Sequence, residues 1–479
     1  MSPSVEPFNK AKYKALMDGL EATEINIASI KSKSYDFRIE SEYYRKKYIA
    51  VQNKLNDIGA IELKIGYDTF ITDGTHYTPN YVEKGVPFLS AINVQENYLD
   101  IDCGYKYITP EQHADLCKRV HPHSGDVLLR KVGVGKRKAC VVPETAFDFS
   151  IFVSVALLRS KINPYFLSTY INSTYGQLQL LRFNKGISQP DLHLEDISRL
   201  LVPKFSATFI SHIECSVRLA INILKESRIV YGNASHVLDV MYSIKNISNN
   251  NSSVKPFSSS LNWSGRLDAE YYQPKYDEII KRLNTNDSVA SLCEIHDDNF
   301  FPEDDMNYQY IELANVGANG VISNVEKISG SELPTRARRI VKKGQIIISS
   351  IEGSLQSCAY ITDEYDGALC STGFYVITSK YINSETLLVL FKSDPIQALL
   401  KQHCSGTILT GISKDELLSI PLPKIDSDKQ KEIAQLIQKS YALRRQSEQV
   451  LDYAVKAVEM AVEQGENVAL AWLKDKVGQ

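Results

Sequence analysis

An eleven-residue motif occurs twice in this chain, and its two copies lie almost half of the 479 residues apart. The first copy, RIESEYYRKKY, begins at Arg38, and the second, RLDAEYYQPKY, begins at Arg266. Self-similarity at a long, fixed spacing is the signature of an internally duplicated architecture. The fold must therefore contain the same unit twice.

Other segments repeat in the same order, at spacings that vary because the connecting loops differ in length. The matched segments are 88–94 with 310–316, 125–129 with 344–348, and 186–204 with 406–424. Asn93 and Asn315 occupy equivalent positions in the first of these pairs. Since shared residues cannot account for differences between the halves, we expect both asparagines to hold turns.

Composition indicates a globular chain of about two to four domains, because 43% of the residues are hydrophobic and 23% are charged. The N-terminus lacks a basic segment followed by an apolar core, and no apolar run approaches the length that crosses a bilayer. We therefore expect neither secretion nor membrane insertion, and a cytoplasmic location.

The eight cysteines include no C-x-x-C pair, which argues against both a structural zinc site and a disulfide framework. His121-Pro122-His123 could in principle hold a metal ion, but no cluster of Cys or His is evident beside it. A turn before Gly125 is the more frequent use of such residues. The sequence therefore predicts no metal site.

Residue periodicity assigns each half a sheet-rich region followed by a long helix. Short β-branched runs broken by turn residues fill 61–202, after a helical region over 1–58. A helix is expected to begin at Asn163-Pro164, because Pro is favoured in the first turn. Apolar residues then recur at helical spacing from Phe209 to Tyr231.

The last segment carries a narrow apolar stripe with a seven-residue repeat, which requires another helix against it. The stripe consists of Leu436, Leu443, Val450 and Ala457, with Ile433, Ser440, Ser447, Ala454 and Ala461 in the companion row. The predicted fold class is α+β, with two pseudo-symmetric, mixed, sheet-rich domains separated by long antiparallel coiled-coil helices. The predicted boundaries are 1–58 helical, 59–204 domain 1, 205–245 central helix, 246–285 linker and second motif, 286–424 domain 2, and 425–479 C-terminal helix.

Several segments partly match catalytic motifs, but each match is incomplete. Asn163-Pro164-Tyr165-Phe166 lacks the second Pro of an adenine methyltransferase loop, and Gly133-Val134-Gly135-Lys136 lacks the flanking residues of a phosphate-binding loop. No Gly-x-Ser-x-Gly elbow is present. We therefore expect a chain without catalysis of its own.

Local basic clusters are hidden by a net charge of −3. The clusters are Arg130, Lys131, Lys136, Arg137 and Lys138 in the first half, and Arg336, Arg338, Arg339, Lys342 and Lys343 in the second. Either cluster alone is explained by a solvated face. Their recurrence favours contacts with DNA phosphates.

These features together resemble the specificity (S) subunits of Type I restriction-modification systems. The resemblance is carried by an opening segment over 72–79 and 85–89, by the motif at Arg38 and Arg266, and by Pro-Lys exits into long helices. The second half lacks the Asp-Gly-Thr-His of the first opening.

The resemblance implies two target recognition domains that each read one half of a split DNA sequence. It implies two methyltransferase (modification) subunits that use S-adenosylmethionine to methylate adenine, and restriction subunits that need ATP and Mg. No cofactor is then expected in this chain. Related alternatives are the specificity component of a fused nuclease-methylase enzyme and a coiled-coil scaffold that binds no DNA.

Sequence-specific reading requires side chains at base edges and cations on phosphates, and loops supply both. The candidate DNA-binding residues in domain 1 are Thr75, His76, Tyr77, Arg130, Lys131, Lys136, Arg137, Lys138, Asn184 and Lys185. Those in domain 2 are Ser350, Glu352, Ser354, Gln356, Lys401, Gln402, His403 and Thr407. The Tyr-Tyr pairs of the two motifs are expected to form fixed joints rather than stacking platforms for bases. No catalytic, cofactor-binding or metal-binding residue is predicted.

Overall fold

The chain divides into two compact units in the computed structural model, and each long helix contributes to both. The first unit comprises Met1–Ile221 and Ser447–Gln479, and the second comprises Asn222–Gln446. The structure describes residues 9–28, 30, 37–101, 105–144, 148–186, 190–242, 252, 254–256, 266, 268–317, 319–323, 325–406 and 410–478. Most of residues 246–265, within the predicted linker and second-motif segment over 246–285, lie outside the described residues, as does the candidate Thr407.

The first unit contains short helices around small sheets. Its helices are α1 Lys10–Met17, α2 Lys46–Asp57, α3 Leu63–Tyr67, α4 Pro110–Cys117, α5 Pro164–Asn172, α6 Thr174–Phe183 and α7 Leu194–Ser198. Its strands are β1 Ile61–Glu62, β2 Phe70–Asp73, β3 Val86–Leu89, β4 Lys106–Ile108, β5 Val127–Arg130, β6 Ala139–Val141, β7 Ser150–Ile151, β8 Val155–Arg159 and β9 Leu201–Val202. The long helix α8, Ala207–Tyr242, follows.

The second unit repeats most of these elements in the same order. Its helices are α9 Pro274–Leu283, α10 Val289–Leu292, α11 Ser384–Lys392, α12 Asp394–Gln402 and α13 Lys414–Ser419. Its strands are β10 Cys293–His296, β11 Asn307–Ile311, β12 Glu326–Ser329, β13 Ala337–Ile340, β14 Ile346–Ser349, β15 Cys358–Tyr360, β16 Leu369–Ser371 and β17 Phe374–Ser379. The long helix α14, Ser427–Gln464, and the short α15, Glu466–Val477, end the chain.

Sheet topology confirms the duplication. The order β2-β8-β5-β6 in the first unit corresponds to β10-β17-β14-β15 in the second. The order β4-β3-β7 corresponds to β12-β11-β16, to which β13 is added as an edge strand. Each of these second sheets contains one parallel pair, with Phe88 opposite Ser150 and Tyr310 opposite Leu369. The fold class predicted from the sequence is therefore confirmed.

Local chemistry at two predicted positions matches the expectation. Asn163 caps α5, since its Oδ1 accepts hydrogen bonds from the backbone N of Tyr165 at 3.0 Å and Phe166 at 3.1 Å. Asn93 and Asn315 hold equivalent turns: their Nδ2 atoms donate to Asp100 O at 3.0 Å and to Ser323 O at 3.1 Å. Their structural role follows from these bonds.

The two long helices pack antiparallel in the first unit. Ser206 N donates to Glu466 Oε2 at 2.8 Å, and Ser447 Oγ donates to Ala220 O at 2.7 Å. Side chains of α8, α14 and α15 share one apolar core with the helices beside the first unit's sheet. These buried side chains include Phe209, Ile213 and Val217 of α8, Ala454, Ala457 and Val458 of α14, and Leu473 of α15.

The second unit also contains an antiparallel contact between α8 and α14. Ser227 Oγ donates to Ser440 O at 2.9 Å, and Ser440 Oγ donates to Ser227 O at 2.8 Å. Both serines are buried among apolar residues that include Ala234 and Ile437. The backbone carbonyl of each serine accepts the hydrogen bond that the other's buried hydroxyl needs. The companion row of the predicted stripe is therefore buried along α14, together with Val450 and Ala457, whereas Leu436 and Leu443 are only half-buried.

Helix α8 is long and apolar enough to cross a membrane by length and composition alone, among the helices that the structure describes. The sequence reading did not anticipate this. Its apolar residues Phe209, Ile213 and Val217 are fully buried in the first unit's core, and Ala234 is fully buried in the second unit's core. The helix is thus used as an amphipathic core helix.

Replacing Ile213 by Ala should destabilise the first unit by about 2–5 kcal/mol, because a fully buried isoleucine leaves a cavity. Ile213 is 0% exposed, whereas Ile229 on the same helix is 64% exposed. Chemical denaturation of I213A and of the matched control I229A measures the difference. Equal loss in both variants would contradict the packing described for α8.

Candidate nucleic-acid interface

The repeated motif fixes one loop in each unit. In the first unit, the Arg38 guanidinium donates to Phe183 O at 3.3 Å and to Asn184 O at 3.1 Å. It also lies 4.7 Å from the ring centroid of Tyr43, and the Tyr44 hydroxyl donates to Arg38 O at 2.8 Å. The planar fork of arginine suits two neighbouring carbonyls. The motif therefore holds the end of α6.

The second copy repeats this arrangement. Arg266 Nη1 donates to Gln402 O at 3.1 Å and to Cys404 O at 2.9 Å, at the end of α12. Its guanidinium lies 4.6 Å from the Tyr271 ring centroid, and the Tyr272 hydroxyl donates to Arg266 O at 2.8 Å. Both tyrosines are engaged in these contacts with Arg266. This fits a structural joint between the motif and the loop and not a surface on which DNA bases stack.

The two loops that follow the arginine contacts are closed at their bases by paired backbone bonds. Lys185 N donates to Asp191 O at 3.0 Å, and Asp191 N donates to Lys185 O at 2.8 Å. Ser405 and Gly411 exchange equivalent bonds of 2.8 and 3.0 Å. We call 185–191 and 405–411 the recognition loops. Their residues 187–189 and 407–409 lie outside the described part of the chain.

Glycine is required where these loops begin. Gly186 has φ of +90° and Gly406 has φ of +131°, a backbone conformation that side chains with Cβ rarely adopt. The matched glycines of the sequence repeat are thus explained by geometry. Both loops therefore begin with a glycine that has a positive φ.

Asp268 stabilises the joint in the second unit. It accepts hydrogen bonds from Arg266 Nε at 2.8 Å and from Tyr271 N at 3.0 Å. The hydrogen bond from Arg266 holds the pKa of Asp268 below its usual value of 3.8. A carboxylate with a lowered folded-state pKa contributes stability above its unfolded pKa, and that stability is lost as pH falls through the folded value.

We therefore expect Asp268→Asn to lower the stability of the protein at neutral pH, with the difference from wild type shrinking as pH falls below 3.8. Thermal unfolding followed across acidic pH measures this convergence. The exposed Asp305→Asn variant makes the same change of charge without a joint contact. A wild-type advantage that persists undiminished at low pH would refute the assignment to Asp268.

The loop after β2 surrounds a buried carboxylate. Asp73 is almost fully buried and accepts from Lys131 Nζ at 2.9 Å and from Arg119 Nη2 at 2.8 Å, while His76 Nε2 lies 3.2 Å away. A Cβ atom at Gly74 would lie 2.1 Å from Ile151 O, so only glycine fits there. The Asp-Gly-Thr-His sequence thus forms a compact turn around the carboxylate of Asp73.

The turn exposes two of its three candidate residues. His76 is exposed and Tyr77 is 57% exposed, whereas Thr75 is buried and bonded within the turn. A cavity of about 250 Å³ lies beside them, lined also by Arg119. Arg119 is a cation that the sequence reading missed. Nothing in the sequence around Arg119 indicates this position, because it depends on the ion pair with the buried Asp73.

Two of the predicted cations in the first cluster are interior. Lys131 is 5% exposed and is paired with Asp73. Arg137 is fully buried, donates to Asn184 Oδ1 at 2.7 Å and to Pro190 O at 3.0 Å, and burial lowers its pKa to about 10. Their expected role as phosphate contacts is therefore corrected, because these side chains hold the base of the first recognition loop.

The other members of the first cluster stay at or near the surface. Lys136 is exposed and lies 3.2 Å from Glu96. Lys138 is half-buried, donates to Gln95 Oε1 at 2.8 Å, and its pKa is lowered by burial. Arg130 is half-buried against Val132 O, while Asn184 and Lys185 belong to the loop base, where Lys185 lies 3.2 Å from Asp196.

The second unit places its candidates in two groups. Ser350, Glu352 and Ser354 are half-buried in one turn, where Ser350 Oγ donates to Gly373 O at 2.9 Å, and Gln356 and Lys401 are exposed. Gln402 and His403 are buried instead: Gln402 Nε2 donates to Tyr271 O at 2.8 Å, and His403 pairs with Glu416. The expectation that these two read DNA is corrected, because they belong to the joint.

The second basic cluster is only partly available. Arg336 is exposed and 3.3 Å from Glu312, and Lys343 is exposed and paired with Asp363. Arg338 lies 5.1 Å from the Phe301 ring centroid, and the Arg339 side chain donates to Phe374 O. Lys342 is exposed. The cluster is therefore mixed with acidic partners rather than uniformly basic.

Residues 287–452 match the sequence model of a family described as the Type I restriction modification DNA specificity domain. This segment is therefore similar to that family's specificity domain. The match confirms the resemblance inferred from the sequence, and it falls on the half that lacks the Asp-Gly-Thr-His opening. A search of curated proteins found no match.

Three solved chains are similar to this one over most of their length. One belongs to a study of complex assembly and conformational transition of the type I R-M system, with 14% identity, a TM-score of 0.25, and coverage of 83% of this chain and 98% of that chain. The S subunit from M. genitalium has 11% identity, a TM-score of 0.30, and coverage of 85% and 93%. The HsdS subunit from Thermoanaerobacter tengcongensis has 13% identity, a TM-score of 0.24, and coverage of 86% and 95%.

We expect Lys131→Ala to destabilise the protein by about 3 kcal/mol, because removal of one partner from a buried ion pair leaves the other charge undercompensated. The matched control is Lys136→Ala in the same basic cluster, where an exposed ion pair contributes about 0–1 kcal/mol. Denaturant unfolding distinguishes them. If the two variants lose equal stability, Lys131 does not hold Asp73 as described.

Proposed function

We propose that this chain is the non-catalytic DNA specificity subunit of a Type I restriction-modification system. In this proposal the two duplicated domains each read one half of a bipartite target. The observation that carries the proposal is the DNA specificity domain at 287–452, together with a first unit that repeats its sheet order. One such domain in each half accounts for a target in two parts.

The arrangement of rigid and variable parts supports this role. An arginine clamp and a backbone bridge hold the base of each recognition loop, at Arg38 and Lys185 in the first unit and at Arg266 and Ser405 in the second. Base edges are read by side chains whose position is set by a rigid scaffold. Two different half-sites require two loops that are anchored in the same way but differ in sequence.

Exposed side chains supply the chemistry for both kinds of contact. In the first unit, His76 and Tyr77 can reach base edges, while Lys136 and Arg119 can contact phosphates. In the second unit, Gln356 and Lys401 are exposed beside the recognition loop and the serine turn. A glutamine side chain can make two hydrogen bonds to adenine.

Catalysis belongs to partner subunits in this proposal. Two methyltransferase subunits would methylate adenine with S-adenosylmethionine, and restriction subunits would supply ATP- and Mg-dependent cleavage, in the cytoplasm. A fused nuclease-methylase partner is a variant of the same role. Calorimetry with S-adenosylmethionine and this chain alone should give no heat of binding, and a saturable heat would assign the methyl donor to this chain.

The decisive experiment maps N6-methyladenine across the genome in cells with and without this gene. We expect one bipartite sequence with a constant gap to lose its methylation when the gene is removed. Exchange of residues 59–204 with those of another subunit should change one half of the target and preserve the other. An unchanged methylation map, with no methyltransferase co-purifying, would instead favour the scaffold.

Lys136→Ala should weaken DNA binding by the specificity–methyltransferase complex and reduce the slope of log affinity against log salt by about 1, because each phosphate contact releases condensed counterions. The matched control is Lys161→Ala, another exposed lysine of the first unit that pairs with Asp68 away from the recognition loop. Binding titrations at several salt concentrations measure the slope. Identical slopes for both variants would remove Lys136 from the interface.

A further inference from the structure

A cluster of metal-ligand side chains lies at the C-terminal end of α4. His113 and Cys117 are one helical turn apart, and His121 follows after the helix ends. One ligand atom from each of the three residues lies within 4.8 Å of the others. From the sequence, only His121 and His123 were expected to be able to hold a metal ion here. The H-x-x-x-C-x-x-x-H spacing brings these three side chains together only when α4 forms.

One distance within the cluster matches the spacing of two ligands on one metal ion. Cys117 Sγ lies 3.4 Å from His113 Nε2 and 3.7 Å from His113 Nδ1. A thiolate sulfur and an imidazole nitrogen bound to the same zinc ion are about 3.6 Å apart, from bond lengths of about 2.3 and 2.0 Å. Because Cys117 Sγ is nearly equidistant from the two ring nitrogens, the His113 ring must turn before its Nε2 lone pair and Cys117 Sγ can share a metal.

A second contact selects which nitrogen of His113 is available. His113 Nδ1 lies 2.8 Å from Ser150 Oγ on β7, and Ser150 is buried. When Nδ1 donates to Ser150 Oγ, the lone pair is on Nε2, the nitrogen nearer to Cys117 Sγ. A hydrogen bond from the remote imidazole nitrogen is the usual device that orients a metal-binding histidine.

His121 supplies an independent indication. Its Nε2 atom is buried and has no hydrogen-bond partner among the described residues. The only acidic group that the described contacts place near it is Asp148, whose Oδ1 lies 3.5 Å away. That spacing suits two neighbouring ligands of one ion better than a hydrogen bond. Asp148 is largely exposed and free to turn toward a fourth coordination position.

We propose that His113, Cys117 and His121 bind a zinc ion, with Asp148 in the fourth position. A mixed nitrogen and sulfur donor set favours zinc over calcium or magnesium, which take oxygen ligands. The ion would link α4 to β7 through His113 and Ser150. Four protein ligands leave no open position, so the site is structural.

The location connects this site to the turn after β2. The cavity beside Thr75, His76 and Tyr77 is also lined by Asp115 and Leu116 of α4 and by Ser150. An ion that fixes α4 against β7 would therefore fix one wall of that cavity. The equivalent segment of the second unit between β12 and β13, GSELPTR, contains neither His nor Cys. The site is thus a difference between the two domains.

The test uses untagged full-length chain, stripped with a chelator and re-equilibrated with Zn²⁺ or Co²⁺ alone. Metal content is measured by mass spectrometry, and Co²⁺ binding by visible bands and thiolate-to-cobalt charge transfer. The variants are Cys117→Ser and His121→Ala. Their matched controls are Cys215→Ser and His236→Ala, which change an exposed cysteine and an exposed histidine on α8.

We expect stoichiometric zinc in wild type and both controls, and a loss of affinity of at least about tenfold in both cluster variants. Cys117→Ser should abolish the charge-transfer band, and zinc should raise the wild-type Tm but not that of His121→Ala. Asp148→Asn should weaken binding while retaining the band. Wild type that holds no more zinc than Cys117→Ser, or a charge-transfer band that survives in Cys117→Ser and disappears in Cys215→Ser, would overturn the proposal.

Discussion

Burial of the small and apolar faces of the two long helices is the constraint on which each unit depends. In the first unit, Phe209 and Ile213 of α8 and Ala457 of α14 are buried in the same core as the helices beside the sheet. That core is therefore completed by the last part of the chain. Such contacts between distant segments cost loop-closure entropy before burial offsets it. The first unit cannot form as described from its N-terminal residues alone.

Buried hydroxyl groups define how the helices align. Ser227 and Ser440 satisfy each other in the second unit, and Ser447 bonds to Ala220 O in the first. A shift along either helix would leave these hydroxyls unpaired in an apolar environment, which costs about 1–3 kcal/mol for each group. The serines that interrupt the predicted apolar stripe thus set its register.

The arginine clamp links each copy of the duplicated motif to the loop beside it. Arg38 and Arg266 each bridge two backbone carbonyls at the end of a helix, just before a recognition loop. The acidic neighbour and the tyrosine pair hold the guanidinium in place. Residues kept in both halves therefore build the support, and in the proposed function the residues that differ between the halves discriminate DNA sequences.

Charged residues were the least reliable guide to the interface. Lys131 and Arg137 belong to a run of cations that reads as a surface patch, yet Asp73 draws Lys131 inward and Asn184 receives Arg137. Gln402 and His403 flank a glycine as loop residues do, yet they pack under the motif. Only the neighbours in space distinguish a phosphate contact from an internal ion pair.

The sequence by itself determined the duplication, the sheet-rich domains, the long helices and the matched turns at Asn93 and Asn315. These features are readable because self-similarity and apolar periodicity are properties of residues close together along the chain. The tertiary structure alone decided which cations remain exposed and which carbonyls Arg38 and Arg266 clamp. It also decided that His113, Cys117 and His121 meet, because burial and ligand geometry depend on distances that sequence order does not specify.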